Sequence, residues 1–489
     1  MLFNSFSFLI FFPIVVGFYY LIPSRFRLIF LLLASSYFYM AFVPKYILIL
    51  FFLITTDFFL AKTIATKEGA NRKIFLFFSL LANIGILFVF KYFNFFNTNI
   101  SDLANFLHWN YSPALILIAL PLGLSFHIFQ SLSYVIEVYR GKYPAENNFL
   151  TYALYVMFFP QLVAGPIERP GHLLPQFKLQ HDFNPRNVRR GLERMLWGFF
   201  KKLVIADQLA VFVNATYANL PSDGITLIVL MILFTYQLYC DFSGYSDIAI
   251  GSALVLGYNL TENFDRPFAS LSMADFWRRW HISLSSWLRD YLYYPLVLGW
   301  GKVSKVRLYS SLFITFVLIG LWHGANWTFV IFGAIHGAYL VIGSVTEKIR
   351  QRWANFIGLT KMPKIRQAIQ ILVVFFLASL ASVFFRAENV SQAWQVMSHL
   401  GNNLENIFDY EYWRQVGRGL GLWRGGLGMV TFIAIVTMEL FQYYQAKYSD
   451  FYFFDTKPKI VRYGWYYTLV LTILCFGYLG AQTFIYFQF

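Results

Sequence analysis

The stretch GLWHGANW, residues 320–327, sets an imidazole inside one of the most apolar parts of the chain. His323 stands sixteen residues after Arg307. On a straight helix that is about 24 Å from the basic edge, inside a hydrocarbon layer about 30 Å thick. Gly320 and Gly324 flank it, Asn326 follows, and Trp322 and Trp327 bracket the group. The small residues leave room for other backbone or for a substrate. An ionisable group at this depth is a candidate for function; burial favours the neutral imidazole, which can take a proton from an attacking hydroxyl. The competing reading is a core histidine bonded between helices, or a tip residue among far-side headgroups. His336 reads as structural, and His127 in PLGLSFHIF has the same plain explanation.

Asp241 and Asp247 lie in the otherwise apolar YCDFSGYSDIAIG. Carboxylates there are costly and need partners, and a spacing of six puts them on different faces of a continuous helix. Either they orient an imidazole or line a polar channel, or they bond Ser, Tyr and backbone groups and stabilise a helix break. There is no GxSxG elbow, no Walker A loop, dinucleotide fingerprint or HExxH, and no metal-ligand spacing among His and Cys. Such a set suits a reaction whose substrates bring both nucleophile and electrophile, while the protein supplies a base and a dry path.

The elements that must carry these residues follow from composition. Of 489 residues 58% are apolar and 13% charged, against about 25% charged in soluble domains. Residues 1–24, 103–136, 147–167, 308–346, 367–385 and 463–489 hold no Asp, Glu, Lys or Arg. A bilayer span needs about 20 apolar residues, so the chain is a polytopic membrane protein with candidate spans near 2–22, 28–43, 45–61, 74–95, 113–135, 149–165, 196–213, 225–257, 308–322, 325–345, 367–386, 426–443 and 463–486. With Pro160, Gly165 and Pro166, the segment 149–165 reads as re-entrant; 225–257 holds either one long helix or two short ones. About eleven passes are expected, the first serving as an uncleaved anchor. The formal charge of +15 falls mostly in loops 62–73, 168–202, 262–307 and 347–366, which the positive-inside bias puts in the cytoplasm; beside anionic headgroups this charge calls for no nucleic acid. Cys240 and Cys475 form no disulfide framework. Within 262–307, ADFWRRWHISLSSWLRDYLYYPL (274–296) has the spacing of one interfacial amphipathic helix. His281 shares the stripe of Trp277, Leu284 and Leu288, while Arg278, Arg279 and Arg289 lie on the polar side.

Several long motifs carry a resemblance. DFSGYSDIAIG (241–251), ENFDRPF (262–268), ADFWRRWHISLSSWLRDYLYYPL (274–296) and GLWHGANWTFVIFGAIHG (320–337) resemble the membrane-bound O-acyltransferase (MBOAT) superfamily, and within it the bacterial alginate O-acetyltransferase branch. KYFNFF (91–96), LPLGLSFHIFQSLSYVIEVYRG (120–141), FFPQLVAGPIERP (158–170) and the final FIYFQF support it. The resemblance implies an all-α integral membrane fold in a single polytopic domain, 1–489. A ring of about eleven transmembrane helices, with re-entrant and interfacial helices, would surround a central tunnel. It also implies an O-acetyltransferase of the bacterial cytoplasmic (inner) membrane. A cytosolic thioester, acetyl-CoA, would give its acetyl group to an extracytoplasmic esterase-like partner that acetylates an exported polysaccharide such as alginate. No bound cofactor or metal is implied.

By that likeness His323 matches the essential histidine and His281 the second one. Trp322, Asn326 and Trp327 would shape the site, with Asn326 a candidate for the oxyanion and Asp241 in support. Arg278, Arg279 and Arg289 would meet the CoA phosphates or, equally, lipid headgroups. Two other functions compete: transfer of D-alanine or another acyl group to a cell-wall polymer, and a transporter or polysaccharide-export channel with the Asp and His groups as a proton relay. A purely structural scaffold would leave those groups unexplained.

Overall fold

In hydrocarbon no water is at hand for unpaired N–H and C=O groups, so charge-free apolar runs close their hydrogen bonds internally as helices. The computed structural model describes all residues except 112–114, 116–120, 300, 423–425, 479, 481, 483, 488 and 489. Among the described residues the chain is helical, without a strand. Seven helices among the described residues are long and apolar enough to cross a bilayer: Pro44–Thr66, Gly69–Phe106, Gly224–Val255, Lys305–His323, Trp327–Val345, Pro363–Arg386 and Leu427–Tyr448. The chain is a multi-pass membrane protein. Phe6–Leu21 is apolar but only 16 residues long, and the helix within 149–165 is Phe149–Met157, about 14 Å and too short to span. Both fall short of the length that these seven helices reach. Part of the span expected over 113–135 lies outside the described residues; its later part, from Leu124 on, belongs to Leu124–Tyr139.

Close contacts divide the chain into two compact units, Met1–Leu192 with Ala249–Thr261, and Glu193–Ile248 with Glu262–Phe489. The first is tied internally by a carboxylate that sequence reading passed over. Asp57, fully buried in Pro44–Thr66, accepts from Ser79 Oγ at 2.6 Å and from Asn83 Nδ2 at 2.9 Å. It also accepts from Ser131 Oγ, which meets the Tyr152 hydroxyl at 2.7 Å. Three helices thus share one buried acceptor, and a fourth joins them through Ser131. Interhelical hydrogen bonds in membranes average about 0.6 kcal/mol, so Asp57→Ala, which orphans three donors, is expected to cost about 2 kcal/mol. A fall in melting temperature in detergent checks this; an unchanged melt would deny the tie.

The second unit carries His281, His323, Trp322, Asn326, Asp241, Asp247 and the three arginines Arg278, Arg279 and Arg289. The helix Gly224–Val255 runs unbroken through Asp241, Gly244 and Asp247, so neither carboxylate marks a helix break. Gly244 is a contact point instead: a Cβ on Gly198 would lie 2.6 Å from the Gly244 carbonyl oxygen, and one on Gly244 2.8 Å from that of Gly198. With no side chain between them the two backbones touch, and the next turn brings charges together. Lys201 and Lys202 fall in a widened π-type turn, Phe200–Ala206. Lys201 Nζ is 2.6 Å from Asp247 Oδ2, and Lys202 Nζ is 2.7 Å from both Asp207 Oδ1 and Asp241 Oδ1. Arg194 reaches Asp247 at 2.9 Å and also Glu262. The basic stretch 168–202 is therefore not one solvated loop; Arg194, Lys201 and Lys202 are buried as counter-ions, which groups of this kind require.

Candidate active site

The site starts at a helix hairpin. Lys305–His323 and Trp327–Val345 run back to back, joined by extended backbone at Gly324 and Asn326. A Cβ on Gly320 would collide with the Phe329 carbonyl oxygen and stand 3.0 Å from the Gly333 Cα; one on Gly324 would enter the Phe329 ring. The space expected for backbone or substrate is thus filled by protein. Asn326 caps the second helix: Oδ1 accepts from Thr328 N–H at 3.0 Å, and Nδ2 donates to the Glu388 carbonyl at 2.9 Å. Both ends of its amide are engaged in shaping the turn. Trp327 is 52% exposed.

His323, at the end of the first helix, is buried. Around its ring stand Trp322 at 4.9 Å between centroids, Phe385 at 5.2 Å, Tyr486 at 5.4 Å and Phe332 at 5.9 Å. Trp322 also faces His281 at 6.2 Å, so one indole adjoins both imidazoles. A second bridge runs through Phe242, 4.6 Å from His281 and 4.6 Å from Tyr486. The two histidines, 42 residues apart in sequence, share one aromatic wall.

The amphipathic helix expected over 274–296 is broken into Met273–Arg279 and Ile282–Leu288, followed by a widened turn Arg289–Tyr293 and the short Tyr294–Leu298. The break falls on His281, whose φ of +45° lies in the left-handed region. The expected stripe with Trp277, Leu284 and Leu288 therefore does not form. Asn263 imposes the break. Its carbonyl accepts from Ile282 N–H at 2.9 Å, and its Oδ1 accepts from Ser283 N–H at 3.3 Å and Ser283 Oγ at 2.9 Å. That same Oδ1 lies 3.0 Å from His281 Nδ1. An oxygen already accepting from a backbone N–H can only accept again, so Nδ1 carries the hydrogen and Nε2 is the basic nitrogen. Burial pushes the ring down to about 3, well below its ordinary value, and keeps it neutral. Asn263 was missed in the sequence, where it stands only as a letter of ENFDRPF eighteen residues earlier.

The other candidates sort by partner. Asp241 and Asp247 pair with lysine and arginine, not with an imidazole; Asp241 Oδ2 also accepts from Ile485 N–H at 2.7 Å. Arg278 and Arg279 lean on Asp275 at 3.4 and 3.1 Å, and Arg289 on Asp290 at 3.0 Å; each keeps an exposed flank. His336 accepts from Trp277 Nε1 at 3.2 Å, which pins the Met273–Arg279 helix to the hairpin and agrees with a structural role. His127, in the first unit, packs edge-on to Tyr39 at 5.7 Å. Among the described residues no group of three His, Cys, Asp or Glu is placed to hold a metal.

Fold and site together define a helical, multi-pass membrane protein with two buried imidazoles joined by an aromatic wall. The chain belongs to the membrane-bound O-acyltransferase family, whose model matches residues 145–387. It is 36% identical over 419 residues to a probable alginate O-acetylase AlgI of Pseudomonas aeruginosa, covering 85% of this chain and 76% of that protein. A peptidoglycan O-acetyltransferase of Helicobacter pylori is 36% identical over 395 residues, 75% of this chain and 72% of that one. A teichoic acid D-alanyltransferase of Streptococcus thermophilus is 28% identical over 290 residues, 54% of this chain and 68% of its own.

Proposed function

We propose that this protein is a membrane O-acetyltransferase that takes acetyl from a cytosolic thioester, acetyl-CoA, and passes it across the bacterial cytoplasmic membrane for polysaccharide O-acetylation. The chain would act as one polytopic domain, 1–489, with a tunnel through it leading to an extracytoplasmic esterase-like partner. His323 is the general base. Its ring takes the proton of the acceptor hydroxyl as that oxygen bonds to the thioester carbonyl carbon; the C–S bond then breaks, and the imidazolium returns the proton to the departing thiolate. A positioned base supplies about 10²–10⁴-fold, and holding the two substrates together supplies more. Trp322 and the neighbouring rings keep the path dry, and Asn326 positions His323 through the turn it caps. His281, with Nδ1–H held by Asn263, turns Nε2 toward the donor side, where Arg278, Arg279 and Arg289 attract the CoA phosphates.

The single observation that carries this reading is the pairing of both imidazoles about Trp322. The proton-relay transporter is weaker, because its carboxylates, Asp241 and Asp247, are neutralised by buried cations. D-alanyl transfer has the more distant relative behind it.

Mass spectra of exported polymer from matched strains with and without the protein test the assignment: acetyl ester should vanish. Loss of D-alanyl ester instead would move the function to that class, and no loss would end the reading. For His281, replacement by Gln is expected to lower acetyl ester about 100-fold at unchanged membrane abundance; full acetylation in the Gln variant would make this residue a packing element.

A further inference from the structure

The network of buried charges in the second unit ends on a backbone amide. Lys202 Nζ sits between Asp207 and Asp241, 2.7 Å from each, and the other oxygen of Asp241 accepts Ile485 N–H at 2.7 Å. Asp207, Lys202 and Asp241 are all nearly excluded from solvent. Ile485 opens the short turn Ile485–Phe487, and the residue after it, Tyr486, packs against Phe242, Phe385 and His323 at 4.6, 5.8 and 5.4 Å. The same segment is also tied further back: Tyr478 N–H donates to the Leu203 carbonyl at 3.0 Å, and Gln208 Nε2 to that of Phe476 at 2.7 Å. The return from helix Lys459–Phe476 is thus fastened along one line of residues, 203, 208 and 241, and the tie nearest the imidazole is the carboxylate.

We infer that Asp241 is a positioning residue for His323: oriented by Lys202, it grips the Ile485 amide and so sets the Tyr486 ring between Phe242 and His323. This rests on the acyl-transfer reading. An ionised carboxylate suits the task because charge-assisted hydrogen bonds are the stronger kind, and because Lys202, shared with Asp207, fixes which way its oxygens point. The ring it places is a wall of the site, so the effect on His323 is one of orientation. Misplacement by about 1 Å, even far from the reacting atoms, can cost about 10²-fold.

The test uses the full chain in proteoliposomes with acetyl-CoA on one side and a soluble polysaccharide as hydroxyl acceptor on the other, reading acetyl ester formed, together with hydrogen exchange of the peptide containing Ile485–Phe487. Asp241→Ala is expected to lower kcat about 100-fold with KM for acetyl-CoA unchanged, because no donor contact is removed. Asp241→Asn, which keeps an oxygen for the Ile485 amide, should recover most of the loss. Tyr486→Ala should match Asp241→Ala, and the double variant should be no worse than either, since both remove the same placed ring. In Asp241→Ala the Ile485 amide should exchange at least about tenfold faster, with the Gly224–Val255 helix still protected. Additive losses, or unchanged exchange at Ile485, would overturn the inference. A wild-type protein that transfers no acetyl would defeat the acyl-transfer reading instead, and the exchange arm would still report on the tie.

Discussion

His323→Ala should reduce acetyl ester on the exported polymer by about 10²–10⁴-fold, the contribution of a positioned base, while the protein still reaches the membrane. The two quantities separate because of where His323 sits. It ends a helix whose hydrogen bonds are complete without its side chain, and it is walled by four rings that remain after truncation. Truncating a buried ring leaves a cavity and costs a few kcal/mol, so the melting temperature should drop measurably without loss of fold. His323→Gln, which keeps polarity and much of the volume but cannot hold a transferable proton, should restore the melt and not the acetylation. Normal acetyl ester in either variant at normal abundance would remove His323 from the chemistry.

The second large effect is expected on folding. Gly320→Val should eliminate the monodisperse protein recovered from membranes, with total expression as the internal reference. The obstacle is backbone, not a side chain that can swing aside. A Cβ at 320 meets the Phe329 carbonyl oxygen and the Gly333 Cα of the facing helix, and helices joined by a three-residue turn cannot part on one side only. Overpacking a core commonly costs about 1–3 kcal/mol where neighbours yield; here neither neighbour can. Gly343, in the same helix as Gly333 but with only the Arg350 guanidinium 3.8 Å away, should accept Ala with full recovery. Equal recovery of Gly320→Val and Gly343→Ala would show that the hairpin does not close this tightly.

Much of the membrane architecture was legible in the amino-acid sequence. The run 308–346 contains a hairpin because no charged residue interrupts it and the Gly-Ala-Asn turn divides it, and it folds as Lys305–His323 and Trp327–Val345. Segment 149–165 betrayed itself as non-spanning through Pro160, Gly165 and Pro166. What escaped was every feature that depends on a partner distant in sequence. The 274–296 pattern is genuinely amphipathic, yet Asn263, outside that window, takes the amides after His281 and splits the helix. Asp241 and Asp247 look unpaired in their own apolar stretch because Lys202 and Lys201 approach from another helix, through the contact of Gly198 with Gly244.

The chain alone determined that this is a helical membrane protein with an imidazole near a hairpin turn, because the absence of water in lipid forces uncharged apolar runs to pair their own backbone. Only the tertiary structure decided that a second imidazole shares its indole, that glycines serve helix contact rather than substrate, and that buried lysines answer the carboxylates. Those outcomes depend on which side chains meet across space, and no local periodicity encodes that.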